Sequence, residues 1–88
     1  MSVQIIKENY YTQKLTIDPY LVENSVKVKI FADFKYVEWG AYLKITDSRG
    51  VVKVNVSSRD IKAGYVWSGE FWASRGETYI ITAYGGED

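Results

Sequence analysis

The feature that most constrains this chain is a two-residue alternation of apolar and polar side chains between positions 26 and 36. The apolar positions are Val26, Val28, Ile30, Ala32, Phe34 and Tyr36. Most of the residues between them are polar or charged. A period of two over this length predicts an extended β-strand with one buried face. The chain is therefore expected to fold as an all-β domain.

Six further segments have the same strand-like composition. They span residues 3–8, 12–18, 41–47, 51–57, 65–73 and 78–84. The sequence Asp47-Ser48-Arg49-Gly50 predicts a tight turn that joins two of them in a hairpin, with Gly50 at a positive φ. Residues 58–64 are predicted to form a loop, with one helical turn starting at Ser58. Seven short strands predict a single domain over residues 1–88, a small seven-stranded antiparallel β-sandwich. A small barrel or a jelly roll is the alternative.

The same alternation identifies the side chains that should fill the interior. The predicted core residues are Val26, Val28, Ile30, Phe34, Leu43, Ile45, Val52, Val54, Val56, Tyr65, Trp67, Phe71, Tyr79, Ile81 and Ala83. Burial of one large apolar side chain contributes roughly 1.5–3 kcal/mol before conformational entropy is subtracted. A core of this size is sufficient for a chain of 88 residues without cross-links.

Residues 26–84 resemble immunoglobulin-like and fibronectin-type-III-like bacterial domains. The segments that carry the resemblance are 41–50, 67–71 and 76–83, which look like strands C, E and F of that family. Gly76 precedes the Thr78-Tyr79 pair, as a Gly or Pro does at the start of strand F in the family. The resemblance implies a β-sandwich in which Tyr79 makes the corner hydrogen bond of strand F.

The sequence departs from this family in two places. No cysteine pair occupies the B and F positions, and no strand follows Tyr84 to serve as strand G. The backbone of the last strand is therefore expected to form an open sheet edge. Such an edge recruits another strand, either from residues 3–8 or from a partner chain.

The composition disfavours catalysis. The chain has no His and no Cys, so it cannot assemble a Ser–His or Cys–His nucleophile or a thiolate metal site. Turn acids such as Asp33, Glu38 and Asp47 match no calcium-loop spacing and are interpreted as solvated turn residues. We expect no catalytic residues, no cofactor and no metal ion.

Apolar side chains on the outward parity of the strands are the main candidates for a binding surface. They are Phe31, Trp39, Tyr42, Trp72, Ile80 and Tyr84. One reading is a protein interface, because Trp and Tyr are enriched at binding hot spots. A second is a platform of Trp39, Tyr42 and Trp72 on which sugar rings stack. The third is a β-bulge that turns Trp72 into the core.

Outward-facing lysines form a second candidate surface. Lys27 and Lys29 lie on the long strand, and Lys44 and Lys53 lie on the predicted hairpin. A basic strand face with interleaved aromatic rings can hold single-stranded nucleic acid. The simpler reading is a solvated face whose lysines discourage edge pairing. The net charge of zero disfavours nucleic acid as a partner.

The function expected from these features is a non-enzymatic structural or protein-interaction module. It would associate with itself as a homo-oligomer, through an exposed sheet edge and an aromatic patch, as an assembly or phage protein does. The alternatives are a carbohydrate-binding module and a single-stranded nucleic-acid binder. The sequence shows no signal peptide and no apolar run of membrane-spanning length. The expected location is the cytoplasm or a virion, with no membrane partner.

Overall fold

The computed structural model describes residues 2–6, 10–34, 39–57, 61 and 64–86. Within these ranges the chain forms two β-sheets and no helix. The strands are β1 (Ser2–Ile6), β2 (Tyr10–Thr16), β3 (Ser25–Asp33), β4 (Trp39–Asp47), β5 (Val52–Val56), β6 (Val66–Ser74) and β7 (Thr78–Gly86). The expected all-β fold with two layers is confirmed. The helical turn predicted from Ser58 falls outside the described residues.

The strands are ordered β1-β3-β6 in a three-stranded sheet and β2-β7-β4-β5 in a four-stranded sheet. Four of the five pairings are antiparallel, whereas β1 and β3 are parallel. The expectation of a purely antiparallel fold is wrong for that pair. The chain leaves the three-stranded sheet after β1, runs through the other sheet as β2 and returns as β3. The chain reverses its direction each time it crosses between the sheets. After two crossings β3 therefore runs parallel to β1.

The open edge predicted for the last strand does not exist. β7 lies between β2 and β4, and β2 pairs with it from Tyr10 to Thr16. The strand beside β7 is therefore β2 and not the 3–8 segment, whose described part forms β1 on β3. A strand from the N-terminal part of the chain therefore occupies the side of β7 that was expected to be open.

Side chains from both sheets form one hydrophobic core. Val28, Ile30, Phe34, Leu43, Ile45, Phe71, Tyr79, Ile81 and Ala83 are buried in it as predicted, and Val26, Val54, Val56 and Trp67 are partly buried against it. The core also contains residues that the predicted set omits: Val3, Leu15, Ile17, Ala32, Ala41, Ile61 and Ala73. Ile61 reaches the core from a loop, where its N–H donates to the carbonyl of Ser57.

Two predicted core residues, Val52 and Tyr65, are exposed at 46% and 63%. The pairing of β4 with β5 shifts between Ile45 and Thr46, so Val52 lies opposite Thr46 on the outer side of the sheet. Tyr65 precedes β6, where Gly64 and Tyr65 both bond to Phe34 and the regular alternation ends. A one-residue irregularity reverses the side-chain direction of every residue beyond it.

The predicted hairpin turn between β4 and β5 is confirmed. The Gly50 N–H donates to the carbonyl of Asp47 at 3.0 Å, and Gly50 has a φ of 84°. A residue with a Cβ is strained at this φ, so the turn favours glycine.

Tyr79 connects the two sheets at the turn between β6 and β7. Its ring is 1% exposed and packs edge-on against Phe71, with 5.2 Å between the ring centroids. The Ser74 N–H donates to the Tyr79 hydroxyl oxygen at 2.8 Å. The phenol therefore fixes the end of β6 in the first sheet to the start of β7 in the second.

Replacement of Tyr79 by Phe should destabilise the fold without opening a cavity. The ring remains, and only the hydroxyl that accepts from Ser74 is lost. We expect the free energy of unfolding in urea to fall by about 1 kcal/mol. Tyr20→Phe is the matched control, because Tyr20 is 90% exposed and its change should be near zero. Equal stabilities of the two variants would contradict a structural role for the hydroxyl.

Candidate functional site

The structure divides the candidate binding residues between two opposite faces. Phe31 and Trp72 lie on the three-stranded sheet, whereas Tyr42, Ile80 and Tyr84 lie on the four-stranded sheet. The backbone of Trp39 pairs with Gly86, and its side chain lies outside the described residues. Because the two sheets turn their inner sides to one core, their outer sides point away from each other. The residues therefore do not form one patch.

The outer side of the three-stranded sheet is called the tryptophan face below. It comprises Lys27, Lys29, Phe31, Val66, Ser68, Glu70 and Trp72. Across β3 and β6, Lys27 is opposite Trp72, Lys29 is opposite Glu70, and Phe31 is opposite Ser68. The predicted outward parity of Phe31 and Trp72 is correct, and no bulge interrupts β6 along this pairing.

Trp72 is the most exposed of the candidate apolar side chains that the structure describes. Its exposed fraction is 63%, and the Lys27 ammonium lies 5.3 Å from the centre of its ring. The same ammonium forms an ion pair with Glu70 at 3.3 Å. Lys27 thus holds the indole by a cation–π contact and is itself held by a carboxylate. Trp72 is thus a solvent-facing aromatic ring in contact with a lysine that is paired with a carboxylate.

A shallow groove of about 310 Å³ lies beside Trp72 on the same face. It is lined by Lys29, Phe31, Ser68, Gly69 and Glu70. Phe31 is 40% exposed and supplies the apolar part of the lining. The tryptophan face therefore combines two exposed aromatic rings with charges of both signs.

Gly69 is a part of this region that sequence reasoning missed. A Cβ built on Gly69 would lie 2.5 Å from the Cη2 atom of the Trp67 ring. The absence of a side chain lets the Trp67 indole fold along the inner side of β6. The Trp-x-Gly spacing is the only sequence signal of this arrangement.

The edges of the two sheets differ in how well they are protected. The edge strand β5 carries Lys53 at a register irregularity, and β1 has only five residues. β6 is an edge strand of nine residues, and its pairing with β3 is regular throughout. It contains no Pro, Lys or Arg. Short length, lysines and bulges discourage strand addition, and β6 has none of them.

The outer side of the four-stranded sheet is more covered. Tyr42 and Tyr84 are register partners with ring centroids 6.4 Å apart, and Tyr42 and Ile80 are partly buried. The rings of Tyr42 and Tyr84 thus cover part of each other's surface from solvent. Tyr42 cannot share a platform with Trp72, so the three-ring arrangement predicted for sugar stacking is wrong.

The four candidate lysines are also divided. Lys27 and Lys29 belong to the tryptophan face, whereas Lys44 and Lys53 lie on β4 and β5 of the other sheet. Lys27 is engaged with Glu70 and Trp72. The basic face predicted from these four lysines is therefore divided, with two lysines on each sheet.

The interpretation of Asp47 as a solvated turn residue is wrong, because its side chain is buried, with 2% exposure. Its Oδ1 atom accepts the N–H groups of Arg49 and Val51, each at 2.9 Å. These bonds, that of Val51 above all, lower the pKa of the Asp47 carboxyl although burial acts in the opposite direction. The Ser48 hydroxyl likewise donates to Glu77 at 2.7 Å and lowers the pKa of that carboxyl. Both carboxylates stabilise turns, so we assign them a structural role.

Over the described residues, these observations define a small all-β fold of two sheets, and the outer side of the three-stranded sheet carries an exposed tryptophan. No family model, curated protein or solved structure matches the chain. Across the described ranges, no three acidic side chains cluster in a way that could hold a metal ion. None of these residues belongs to a helix that could cross a membrane.

The lowered pKa of Asp47 predicts a specific loss of stability in acid. Its stabilising contribution is present above the unfolded-state pKa of about 3.9 and is lost as the pH falls through the folded-state value. The wild type should therefore be more stable than Asp47→Asn at pH 7, and this difference should shrink as the pH falls below about 4. Urea unfolding of both proteins across this range measures it. A difference that does not change with pH would contradict the assignment.

Proposed function

We propose that this protein is a non-enzymatic interaction module that associates with itself through the tryptophan face and the adjoining edge of β6. The observation that carries the proposal is the exposed, positioned indole of Trp72. Tryptophan is the residue type most enriched at binding hot spots. The cation–π contact with Lys27 favours one arrangement of the ring, which lowers the side-chain entropy lost on binding.

A second feature supports the same surface. Val66 is 62% exposed and lies on the same side of β6 as Trp72. Both lie on a strand that forms a sheet edge among the described residues, so one strand pairing would cover both of these exposed apolar side chains. The lack of His and Cys in the sequence supports the non-enzymatic part of the proposal.

We further propose an immunoglobulin-like arrangement of the two sheets. The support is that β3 pairs with β6 and β4 pairs with β7, as strands B and E and strands C and F do in such domains. The bond between Ser74 and the Tyr79 hydroxyl corresponds to the tyrosine corner. β2 would then take the place of strand G. The parallel β1 is a departure from that arrangement.

Binding of carbohydrate and binding of single-stranded nucleic acid remain predictions from the sequence. The rings and the lysines that each would use are divided between opposite faces. The location in the cytoplasm or a virion and the role in assembly likewise stay predictions.

Replacement of Trp72 by Ser should weaken self-association. A buried hot-spot tryptophan contributes about 2 kcal/mol or more, so the dimer dissociation constant should rise about 30-fold or more. Equilibrium sedimentation over a range of concentrations measures this constant. Tyr84→Ser is the matched control, because Tyr84 is an exposed aromatic residue on the other face.

Two results would contradict the proposal. One is a wild-type mass that stays monomeric at high concentration. The other is a loss of association in Tyr84→Ser and not in Trp72→Ser, which would move the interface to the four-stranded sheet. Circular dichroism of each variant establishes that the fold is intact.

A further inference from the structure

The direction of each backbone group along β6 follows from the bonds at the two ends of its pairing with β3. At one end the Phe34 N–H donates to the carbonyl of Tyr65 at 3.1 Å. At the other end the Arg75 N–H donates to the carbonyl of Asn24 at 2.9 Å. In an antiparallel ladder, hydrogen-bonded pairs alternate with pairs that are not hydrogen-bonded. The Phe34–Tyr65 and Asn24–Arg75 pairs are therefore both hydrogen-bonded pairs, and both continue the register of the strands. Because Phe34 and Asn24 are an even number of residues apart, the two ends predict the same alternation of hydrogen-bonded pairs along β6.

This alternation divides the residues of β6 into two sets, according to the direction of their backbone N–H and C=O groups. Trp67, Gly69, Phe71 and Ala73 point their N–H and C=O groups toward β3. Val66, Ser68, Glu70 and Trp72 point theirs toward the side where no described strand lies. The residues whose side chains form the tryptophan face are therefore the same residues whose backbone groups form the open edge.

Ser74 marks the end of this open segment. It belongs to the outward set, but its N–H donates to the Tyr79 hydroxyl at 2.8 Å and its carbonyl accepts the Glu77 N–H at 3.2 Å. Both of its backbone groups are thus used within the chain. Among the described residues, the part of β6 that has no neighbouring strand on its outer edge consists of residues 66–72.

An antiparallel copy of residues 66–72 matches this segment over its full length in one register only, with Gly69 opposite Gly69 of the second copy. Val66 then lies opposite Trp72 of the second copy, and Ser68 lies opposite Glu70. The two most exposed apolar side chains of β6 cover each other, at both ends of the contact. Aromatic side chains paired with β-branched ones are favourable across strands.

Two registers that keep the same faces together but shift the axis toward Ser74 are less favourable. If the two-fold axis between the copies passes through Glu70, the two Glu70 carboxylates lie directly opposite each other. That register also needs the backbone N–H of Ser74, which already donates to the Tyr79 hydroxyl. An axis at Phe71 also requires Ser74 and leaves Val66 unpaired. Gly69 suits the position on the two-fold axis because it has no side chain. In each copy the Trp67 ring lies over Gly69 of its own strand, in the space that a side chain would fill.

We infer that the partner on this surface is a second copy of the chain, paired antiparallel through β6 with Gly69 on the two-fold axis. The product is a continuous sheet in the order β1-β3-β6-β6-β3-β1, with both tryptophan faces on one side. This inference rests on the proposed function and specifies its geometry. It specifies antiparallel strand pairing and its register, whereas the proposed function requires only that the tryptophan face and the edge of β6 lie within the contact.

Disulfide cross-linking tests the register, since the chain has no Cys of its own. Ser68→Cys and Glu70→Cys are made separately and oxidised alone and as an equal mixture. Opposite residues of a hydrogen-bonded pair have Cα atoms about 5.5 Å apart, which suits a disulfide. The mixture should give a heterodimer, identified by its mass, in clear excess over either homodimer. Thr82→Cys on the four-stranded sheet is the control and should give no cross-linked dimer.

A second variant tests the edge without a cross-link. Ser68→Pro removes an N–H group that points away from β3, so the pairing within the monomer should survive while the pairing between copies is lost. Its circular dichroism should resemble that of the wild type, and its sedimenting mass should be that of a monomer. A folded Ser68→Pro variant that still dimerises would overturn the inference.

The outcomes separate the two proposals. If the wild type self-associates and Trp72→Ser weakens it, but Glu70→Cys homodimers dominate or Thr82→Cys cross-links, the strand pairing is wrong and the proposed function stands. A mixture with no excess of the heterodimer would also overturn the register. A wild type that is monomeric throughout would overturn both. Binding of an extended peptide from another protein, without self-association, would replace the second copy as the occupant.

Discussion

The pairing of β6 with β3 is the interaction on which the rest of the structure depends. It brings Val28, Ile30 and Phe71 into the core of one sheet and turns Lys27 and Trp72 outward. The same pairing uses the backbone groups of the inward residues of β6. In this strand the set that is hydrogen-bonded to β3 is the inward-facing one, so the residues whose side chains face outward are also those whose backbone groups point away from β3. This coupling makes the exposed face and the open edge two aspects of a single feature.

The turn after β6 limits how far that open edge extends. Tyr79 is fully inside the core, yet its hydroxyl reaches the Ser74 N–H at the end of the strand. Glu77 satisfies the carbonyl of the same residue. The contacts that fix the two sheets together thus also close one end of β6. The length of the open segment is a consequence of how the monomer folds, and this length selects the register that we infer for the dimer.

Local features of the fold could be predicted from the sequence. The alternation in β3 identified its buried residues, and the Asp47–Gly50 turn and the buried position of Tyr79 followed from neighbouring residues. Pairing between distant strands could not be predicted in this way, because alternation shows which side of a strand is buried and not which strand lies beside it. The position of β2 next to β7 is the main example. Val52 is a second, since its direction depends on a register shift that leaves no clear signal in the sequence.

The candidate site was predictable to the same degree. The outward parity of Phe31 and Trp72 was correct, but their separation from Tyr42 and Tyr84 required knowledge of which strands share a sheet. Hydrogen exchange of the β6 amides tests the central claim most directly. In dilute solution the amides of Gly69 and Phe71 should exchange slowly and those of Ser68, Glu70 and Trp72 fast, and the fast set should become protected as the concentration rises. Uniform protection along β6 in the dilute monomer, or fast exchange of the second set at every concentration, would contradict the account.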